Sequence, residues 1–184
     1  DHCVTGVQTC ALPILKKLPV MLSVVKDFPD YQFVIAKAPG VDEKLYDEYI
    51  RGYDNVAYVV NRTYDLLNMA SAAMVTSGTA TLETALFRVP QVVCYKGNQI
   101  SYEIAKRIIK VPYISLVNLI MNKKVVQELI QDELNYPSLK KALSTIIPGG
   151  KDRMQTLHDY DQLKHLLASR SEEHTSELQS HSDL

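Results

Sequence analysis

Short apolar runs alternate along the chain with segments whose apolar residues recur at helical spacing. The runs predict strands, and the spaced segments predict helices. The predicted strands are Gln32–Ala38, Val56–Val60, Ala72–Thr76 and Gln91–Tyr95, followed by a short one near Tyr113–Leu116. The predicted helices are Lys16–Phe28, Asp42–Arg51, Thr63–Met69, the segment that starts at Ser77, Ile100–Lys110, Val125–Gln131, Pro137–Ile147 and Arg153–Ala168.

Strands that are separated by helices indicate βαβ units and therefore a parallel sheet. The predicted strands are continuously apolar and do not alternate with polar residues, which is typical of strands covered on both faces. We therefore expect an α/β fold, a Rossmann-like parallel sheet with helices on both faces. A ligand of such a sheet binds at the carboxyl ends of its strands.

Composition narrows the classes of function. The 20 basic and 21 acidic residues give a net charge of −1, which argues against nucleic-acid binding by bulk charge. The longest uncharged stretch, Leu66 to Leu82, contains many Ser, Thr and Asn residues and is no membrane span. Cys3, Cys10 and Cys94 form no CxxC pair, so we expect no metal site and a reduced, cytoplasmic compartment.

The two ends of the chain differ from its middle. Residues 1–14 show neither helical nor alternating periodicity, and residues 169–184 are rich in Ser and His with few apolar side chains. Both strings resemble translated sequencing-adapter read-through, so we expect a non-native leader and a non-native, disordered tail. A natural flexible tail is the alternative for 169–184. The Rossmann-like domain is then expected to span 15–168.

The most informative segment joins a predicted strand to a predicted helix. Ser77, Gly78, Thr79 and Ala80 are small enough for an anion to approach the backbone amides at the start of the helix. The segment lacks both the Lys of a P-loop and the GxGxxG spacing of dinucleotide sites. It predicts a phosphate cradle, although small polar residues also cap helices that bind nothing.

Glu83 follows in the first turns of the same helix. With Thr79 as the N-cap, its carboxylate would be close enough to reach the hydroxyl pair of a ribose. The alternative is a carboxylate that is merely favoured by the helix N-terminus.

Three segments make the interpretation specific: SGTATLETALFRVPQVVCYK, ISYEIAKRIIKVPYISLVNLI and VVQELIQ. Together they resemble the lipid-A-disaccharide synthases, inverting glycosyltransferases of the two-domain GT-B fold. The resemblance implies transfer of diacylglucosamine from its UDP donor to diacylglucosamine 1-phosphate, with release of UDP and without a metal or another cofactor. It also implies a chain that is the C-terminal, donor-binding half of such an enzyme.

The resemblance assigns site residues on the donor side. It implies that Ser77, Gly78, Thr79 and Ala80 surround the diphosphate and that Glu83 holds the uridine ribose. Asn118 would be a polar donor-site contact, against the alternative of a loop Asn that satisfies its own backbone. Glu128 and Gln131 would support the same edge of the site.

The resemblance also implies missing parts. The general base, an Asp, would lie in a preceding domain, so no catalytic residue is assigned here. A Gly-Ser-Arg turn of the family has no counterpart before Lys16, so we expect a phosphate-facing Arg and the first strand to be absent. The alternative is that the segment Val4–Ile14 fills the gap, although its sequence gives little reason to expect this. We therefore expect this chain to be inactive alone and at best a weak UDP binder.

Basic residues of the predicted helix Ile100–Lys110 suggest how the protein contacts a surface that contains its lipid substrates. Lys106, Arg107 and Lys110 could form a face toward anionic lipid, although a solvated helix face is the simpler alternative. We expect a peripheral protein on the inner face of the bacterial inner membrane that can form a homodimer. The rival functions are another UDP-sugar GT-B enzyme, such as a UDP-GlcNAc 2-epimerase or a peptidoglycan glycosyltransferase, or a non-catalytic nucleotide-binding module.

Overall fold

A six-stranded parallel sheet organises the chain. The computed structural model describes residues 2–7, 17–37, 42–76, 78–97 and 113–180, and for 2–7 and 171–180 it describes the backbone only. The strands are β1 (His2–Val7), β2 (Tyr31–Lys37), β3 (Val56–Val60), β4 (Ala70–Val75), β5 (Gln91–Tyr95) and β6 (Gln127–Ile130). They follow the spatial order β3-β2-β1-β4-β5-β6, which is the order of the doubly wound Rossmann fold.

Helices cover both faces of this sheet, as predicted. One apolar cluster joins α1, α2 and α6 to side chains such as Met74 and Cys94. Two further clusters join α3, α4, α5 and α7 to the opposite face, through residues such as Val75 and Val93. The helices are α1 (Leu18–Ser23), α2 (Glu43–Ile50), α3 (Thr63–Met69), α4 (Gly78–Leu86), α5 (Leu116–Met121), α6 (Tyr136–Ile146) and α7 (Arg153–Ser180). Within the part of the chain that is described, no helix is both long and apolar enough to cross a bilayer.

Local signals account for several elements at their predicted positions. The Asp42 side chain accepts a hydrogen bond from the Lys44 amide at 3.0 Å and so caps α2. Gly52 follows that helix with a φ of +91°, a conformation that side chains disfavour. Strands β3 and β5 have the bounds that their apolar runs predict.

Two predictions near the end of the sheet are wrong. The expected strand near Tyr113–Leu116 is absent, because Ser115 caps α5 there and accepts from the Asn118 amide at 3.3 Å. The expected helix Val125–Gln131 is instead the edge strand β6, followed by a 3₁₀ turn. By itself, a short apolar run does not distinguish a strand from a helix. Here, pairing with β5 makes Gln127–Ile130 a strand. The predicted helix Ile100–Lys110 lies outside the described residues.

The expected absence of the first strand is also wrong. Strand β1 fills the central position and pairs in parallel with β2 on one side and β4 on the other. Its sequence contains the β-branched residues Val4, Thr5 and Val7, which favour extended structure. A central strand also provides hydrogen-bond partners for both neighbours, whose backbone groups would otherwise be left unpaired.

The C-terminal segment differs from its prediction as well. Helix α7 does not end near Ala168 but continues to Ser180, through most of the stretch that is expected to be disordered. Once a helix is formed, each further residue adds a hydrogen bond at little cost, and polar residues such as Glu and Gln propagate it well. That residues 1–14 and 169–184 are non-native remains a prediction.

The thiol of Cys94 lies in the core of β5 and is fully buried. Burial raises its pKa to about 12, although the charge of Lys17 acts in the opposite direction. In the unfolded chain the thiol ionises near pH 9. The neutral thiol therefore contributes its full stabilisation below pH 9, and this contribution is lost as the pH rises toward 12.

We expect Cys94 to make the free energy of unfolding fall by about 1.4 kcal/mol per pH unit above pH 9. Urea unfolding of the unmodified chain and of Cys94→Ala, between pH 8 and pH 10.5, measures this contribution. The difference between the two curves isolates Cys94 from Tyr58 and Tyr160, whose raised pKa values affect both proteins equally. Parallel curves across this range would contradict the prediction.

Candidate functional site

The corner between β4 and α4 lies where the order of the strands reverses. From β1 the chain builds outward through β2 and β3, and from β4 it builds in the other direction through β5 and β6. The carboxyl ends of β1 and β4 therefore flank the crevice in which open α/β sheets bind ligands. Helix α4 begins at Gly78, so Thr79 lies in its first turn, and the prediction that Thr79 is the N-cap is wrong.

Two side chains of this corner face solvent together. Thr79 and Glu83 are four residues apart on α4 and both are exposed, so they share one face of the helix. Ala80 and Thr81 are buried against the sheet, and Gly78 is partly buried. Ser77 lies outside the described residues.

The loop before α5 passes directly beside the corner. A Cβ atom added to Gly78 would lie 3.6 Å from the carbonyl oxygen of Ile114, which is ordinary van der Waals contact. This approach brings the corner next to residues that follow it by more than thirty positions in the sequence. The second half of the candidate site is therefore the loop at 113–115, together with the side chains that hold this loop in place.

Glu128 on β6 holds the loop. Its Oε2 accepts from the Ile114 amide at 3.0 Å, and its Oε1 accepts from the Ser115 amide at 2.9 Å. The same Oε1 also accepts from the Ser115 hydroxyl at 2.6 Å and from the Asn118 Nδ2 at 2.9 Å. One carboxylate thus binds two backbone amides and two side chains, which ties the edge strand to the loop beside the corner.

Asn118 belongs to the same network and is fully buried. Its Oδ1 accepts from the amides of Val125 and Val126 at 2.8 and 2.9 Å, and its Nδ2 donates to the Val126 carbonyl and to Glu128, each at 2.9 Å. These bonds use both lone pairs and both hydrogens of the side-chain amide. A direct contact between the Asn118 side chain and the sugar-nucleotide donor would have to break one of these four hydrogen bonds. The geometry therefore assigns Asn118 a positioning role, and its direct contact with the donor stays a prediction.

Gln131 lies at the end of β6, beside a cleft of about 450 Å³ that Glu128, Lys124 and Tyr113 also line. Its backbone is in the left-handed region with a φ of +53°. Its Nε2 is buried and has no hydrogen-bond partner among the described residues. A buried N–H donor of this kind destabilises the fold unless an acceptor forms a hydrogen bond with it. Gln131 therefore supplies a polar group to the same edge that Glu128 organises.

Other predicted site residues are not located by the structure. Lys106, Arg107 and Lys110 lie outside the described residues. Among the side chains that are described, no group of three or more His, Cys, Asp or Glu residues could hold a metal ion.

Sequence reasoning missed two residues near the corner. Ser115 carried a signal, since a Ser directly before an apolar helical run is a typical N-cap. Lys17 carried none, because nothing in its neighbourhood distinguishes it from the exposed lysines of the chain. Its ammonium is buried at the carboxyl edge of the sheet.

Solved structures with the same fold include UDP-GlcNAc 2-epimerases and glycosyltransferases. The chain superimposes on UDP-GlcNAc 2-epimerase from Neisseria meningitidis with a TM-score of 0.57 and 14% identity, covering 92% of this chain and 44% of that one. It superimposes on the glycosyltransferase SnogD from Streptomyces nogalater with a TM-score of 0.56 and 16% identity, covering 90% and 40%. Identities this low establish the fold alone.

Comparison of the sequence with curated proteins gives higher identities than these structural matches. The chain is 36% identical to the lipid-A-disaccharide synthase of Syntrophus aciditrophicus over 159 residues, which cover 83% of this chain and 41% of that protein. It is 34% identical to the lipid-A-disaccharide synthase of Psychromonas ingrahamii over 158 residues, which cover 84% and 40%. The chain thus spans about two fifths of the length of these curated relatives. The model of the lipid-A-disaccharide synthetase family matches residues 8–181, and the chain belongs to that family.

Proposed function

We propose that this chain forms the nucleotide half of the donor site of a glycosyltransferase in lipid A synthesis. The enzyme would transfer diacylglucosamine from UDP to diacylglucosamine 1-phosphate. Membership of the family supports this reaction, and the position of the corner at the reversal of strand order supports the donor half. This second observation carries the proposal, because sheets of this kind bind phosphates at the start of the helix that follows the strand at such a reversal.

In this reaction the acceptor hydroxyl forms a bond to the anomeric carbon of the donor sugar. The bond between that carbon and the diphosphate oxygen breaks, UDP leaves with the electron pair, and the hydroxyl proton passes to a general base. No residue of this chain is proposed as that base. The contribution of the corner is electrostatic, since Ser77, Gly78, Thr79 and Ala80 would offer amides and hydroxyls to the charge that develops on UDP.

The remaining residues of the proposed site bind or position the nucleotide. The exposed carboxylate of Glu83 would accept from the ribose hydroxyls, one helical turn from the diphosphate. Glu128 and Asn118 would fix the loop beside Gly78, and the buried Nε2 of Gln131 would donate to a polar atom in the cleft. The chain alone would then bind UDP weakly and form no disaccharide.

The lipid substrates place the proposed reaction at a membrane surface. We propose that Lys106, Arg107 and Lys110 face anionic lipid there, on the inner face of the bacterial inner membrane. A homodimer is likewise a proposal. The rival functions, an epimerase, a peptidoglycan glycosyltransferase or a non-catalytic module, gain no support beyond the shared fold.

Binding of UDP to the corner is tested by the amide resonances of the ¹⁵N-labelled chain. We expect UDP to shift the amides of Gly78, Thr79 and Ala80, and we expect the amides of α2, on the other side of the sheet's centre, to stay in place. Unchanged resonances at the corner with saturating UDP would remove the basis of the proposal.

Replacing Glu83 with Gln should weaken UDP binding about tenfold, because one charge-assisted hydrogen bond to the ribose is lost. Glu48→Gln on α2 is the matched control, since Glu48 is also an exposed helical carboxylate. Calorimetric titration of both variants with UDP measures the effect. Equal affinities for the two variants would show that Glu83 does not contact the nucleotide.

A further inference from the structure

Lys17 directly precedes α1 and is only 4% exposed. Its Nζ donates to the carbonyl oxygen of Thr76 at 3.2 Å. It also lies 5.6 Å from the centre of the Tyr95 ring. Thr76 follows β4 and Tyr95 ends β5, so the ammonium lies at the carboxyl edge of the sheet. Thr76, whose carbonyl the ammonium binds, lies two residues before the start of α4. The ammonium is therefore beside the corner that the proposed function assigns to the diphosphate.

A lysine is rarely buried to this extent, because removing an ammonium from water is costly. The Thr76 carbonyl and the face of the Tyr95 ring compensate part of this cost, since both present negative charge to the ammonium. Burial raises the pKa of the Cys94 thiol, and the charge of Lys17 lowers it. A positive charge held in a region of low polarity acts strongly on any anion that comes close.

The corner itself provides amides and hydroxyls but no cation. The sequence Thr76 to Glu83 contains no Lys or Arg, so the Lys of a P-loop is absent from it. Lys17 is distant from the corner in sequence, but the fold brings its Nζ to the residue that immediately precedes Ser77. The charge that the local sequence lacks is therefore supplied by the start of another βα unit.

We propose that Lys17 is the cation of the donor site and binds the diphosphate of the nucleotide sugar at the β4–α4 corner. This assignment rests on the proposed function and adds to it the group that distinguishes a diphosphate from an uncharged nucleoside. A single positive charge of this kind strengthens binding of a phosphate and leaves binding of the uracil and ribose unaffected.

The test compares UDP with uridine, which has the same base and ribose but no phosphate. For Lys17→Met, which keeps the length of the side chain and removes its charge, we expect UDP binding to weaken about tenfold or more. Uridine binding should stay unchanged, because uridine carries no phosphate for the ammonium to bind. Lys17→Arg should bind UDP more tightly than Lys17→Met, because it keeps the charge.

Lys26→Met is the matched control, since Lys26 follows the same helix but is exposed and lies over the Tyr53 ring. We expect its affinity for UDP to equal that of the unmodified chain. The affinity of the unmodified chain for UDP should also decrease more steeply with salt than that of Lys17→Met. Near-superimposable circular dichroism spectra would show that the variants keep the fold.

A measurement on the unmodified chain keeps the proposal testable if Lys17→Met does not fold. With ¹³C-labelled lysine, UDP should shift the ε-methylene resonance of Lys17, and uridine should not. An unshifted resonance with bound UDP, or equal UDP affinity for Lys17→Met and the unmodified chain, would overturn the assignment of Lys17 and leave the proposed function in place. Equal weakening of UDP and uridine would also overturn it, because Lys17 would then only support the fold. No UDP binding by the unmodified chain would overturn the proposed function and, with it, this assignment.

Discussion

Replacing Asn118 with Leu is expected to lower the free energy of unfolding by about 4 kcal/mol or more, although the two side chains have similar shapes. Leucine cannot replace any of the four hydrogen bonds of the amide. The amide and the carbonyl of Val126 would remain buried without their side-chain partner, whereas the Val125 amide would keep its bond to the Lys123 carbonyl at 3.0 Å. Each buried group that is left unpaired costs about 1–3 kcal/mol.

Urea unfolding monitored by circular dichroism measures this effect. Asn68→Leu is the matched control, because Asn68 is an exposed asparagine on α3 and the substitution is the same. A surface change of this kind should alter stability by no more than about 0.5 kcal/mol. A loss for Asn118→Leu as small as that of the control would show that the network around Asn118 does not stabilise the fold.

Replacing Glu128 with Gln is expected to lower the free energy of unfolding by about 2–3 kcal/mol and to weaken UDP binding. The carboxylate accepts all four of its hydrogen bonds, and a side-chain amide would direct its NH₂ group at one of these donors. The loop at 113–115 would then be held less firmly beside Gly78. Stability is measured by urea unfolding, and nucleotide affinity by calorimetric titration with UDP.

Glu133→Gln is the control for this variant, since Glu133 is an exposed carboxylate that lines the same cleft. Unchanged stability is expected for the control. Because Glu128 and Asn118 are in direct contact, the double variant should lose less than the sum of the two single losses. Strict additivity would contradict a shared network, and unchanged stability of Glu128→Gln would contradict the role of Glu128 in holding the loop.

The sequence predicts much of the architecture because its apolar runs are local signals of burial. Strands β2 to β5 and helices α1 to α4 and α6 lie within a few residues of their predicted positions. β6 is the exception, because QELI carries no pattern that separates an edge strand from a helix. β1 is a second exception, since only the empty central position between β2 and β4 makes a strand of His2–Val7 necessary.

By itself, then, the sequence determined the alternation of helices and strands, the small-residue corner at Ser77 to Ala80 and the resemblance to a family that the comparisons confirm. The resemblance implied Asn118 and Glu128 as site residues, but only the tertiary structure decided how they act and that Lys17 lies beside the corner. Glu128 and Asn118 hold the loop next to the corner, Lys17 bonds Thr76 from the start of α1, and these hydrogen bonds depend on how the elements pack. The physical reason is that local patterns report which faces are buried, whereas polar contacts between distant segments exist only after the sheet has assembled.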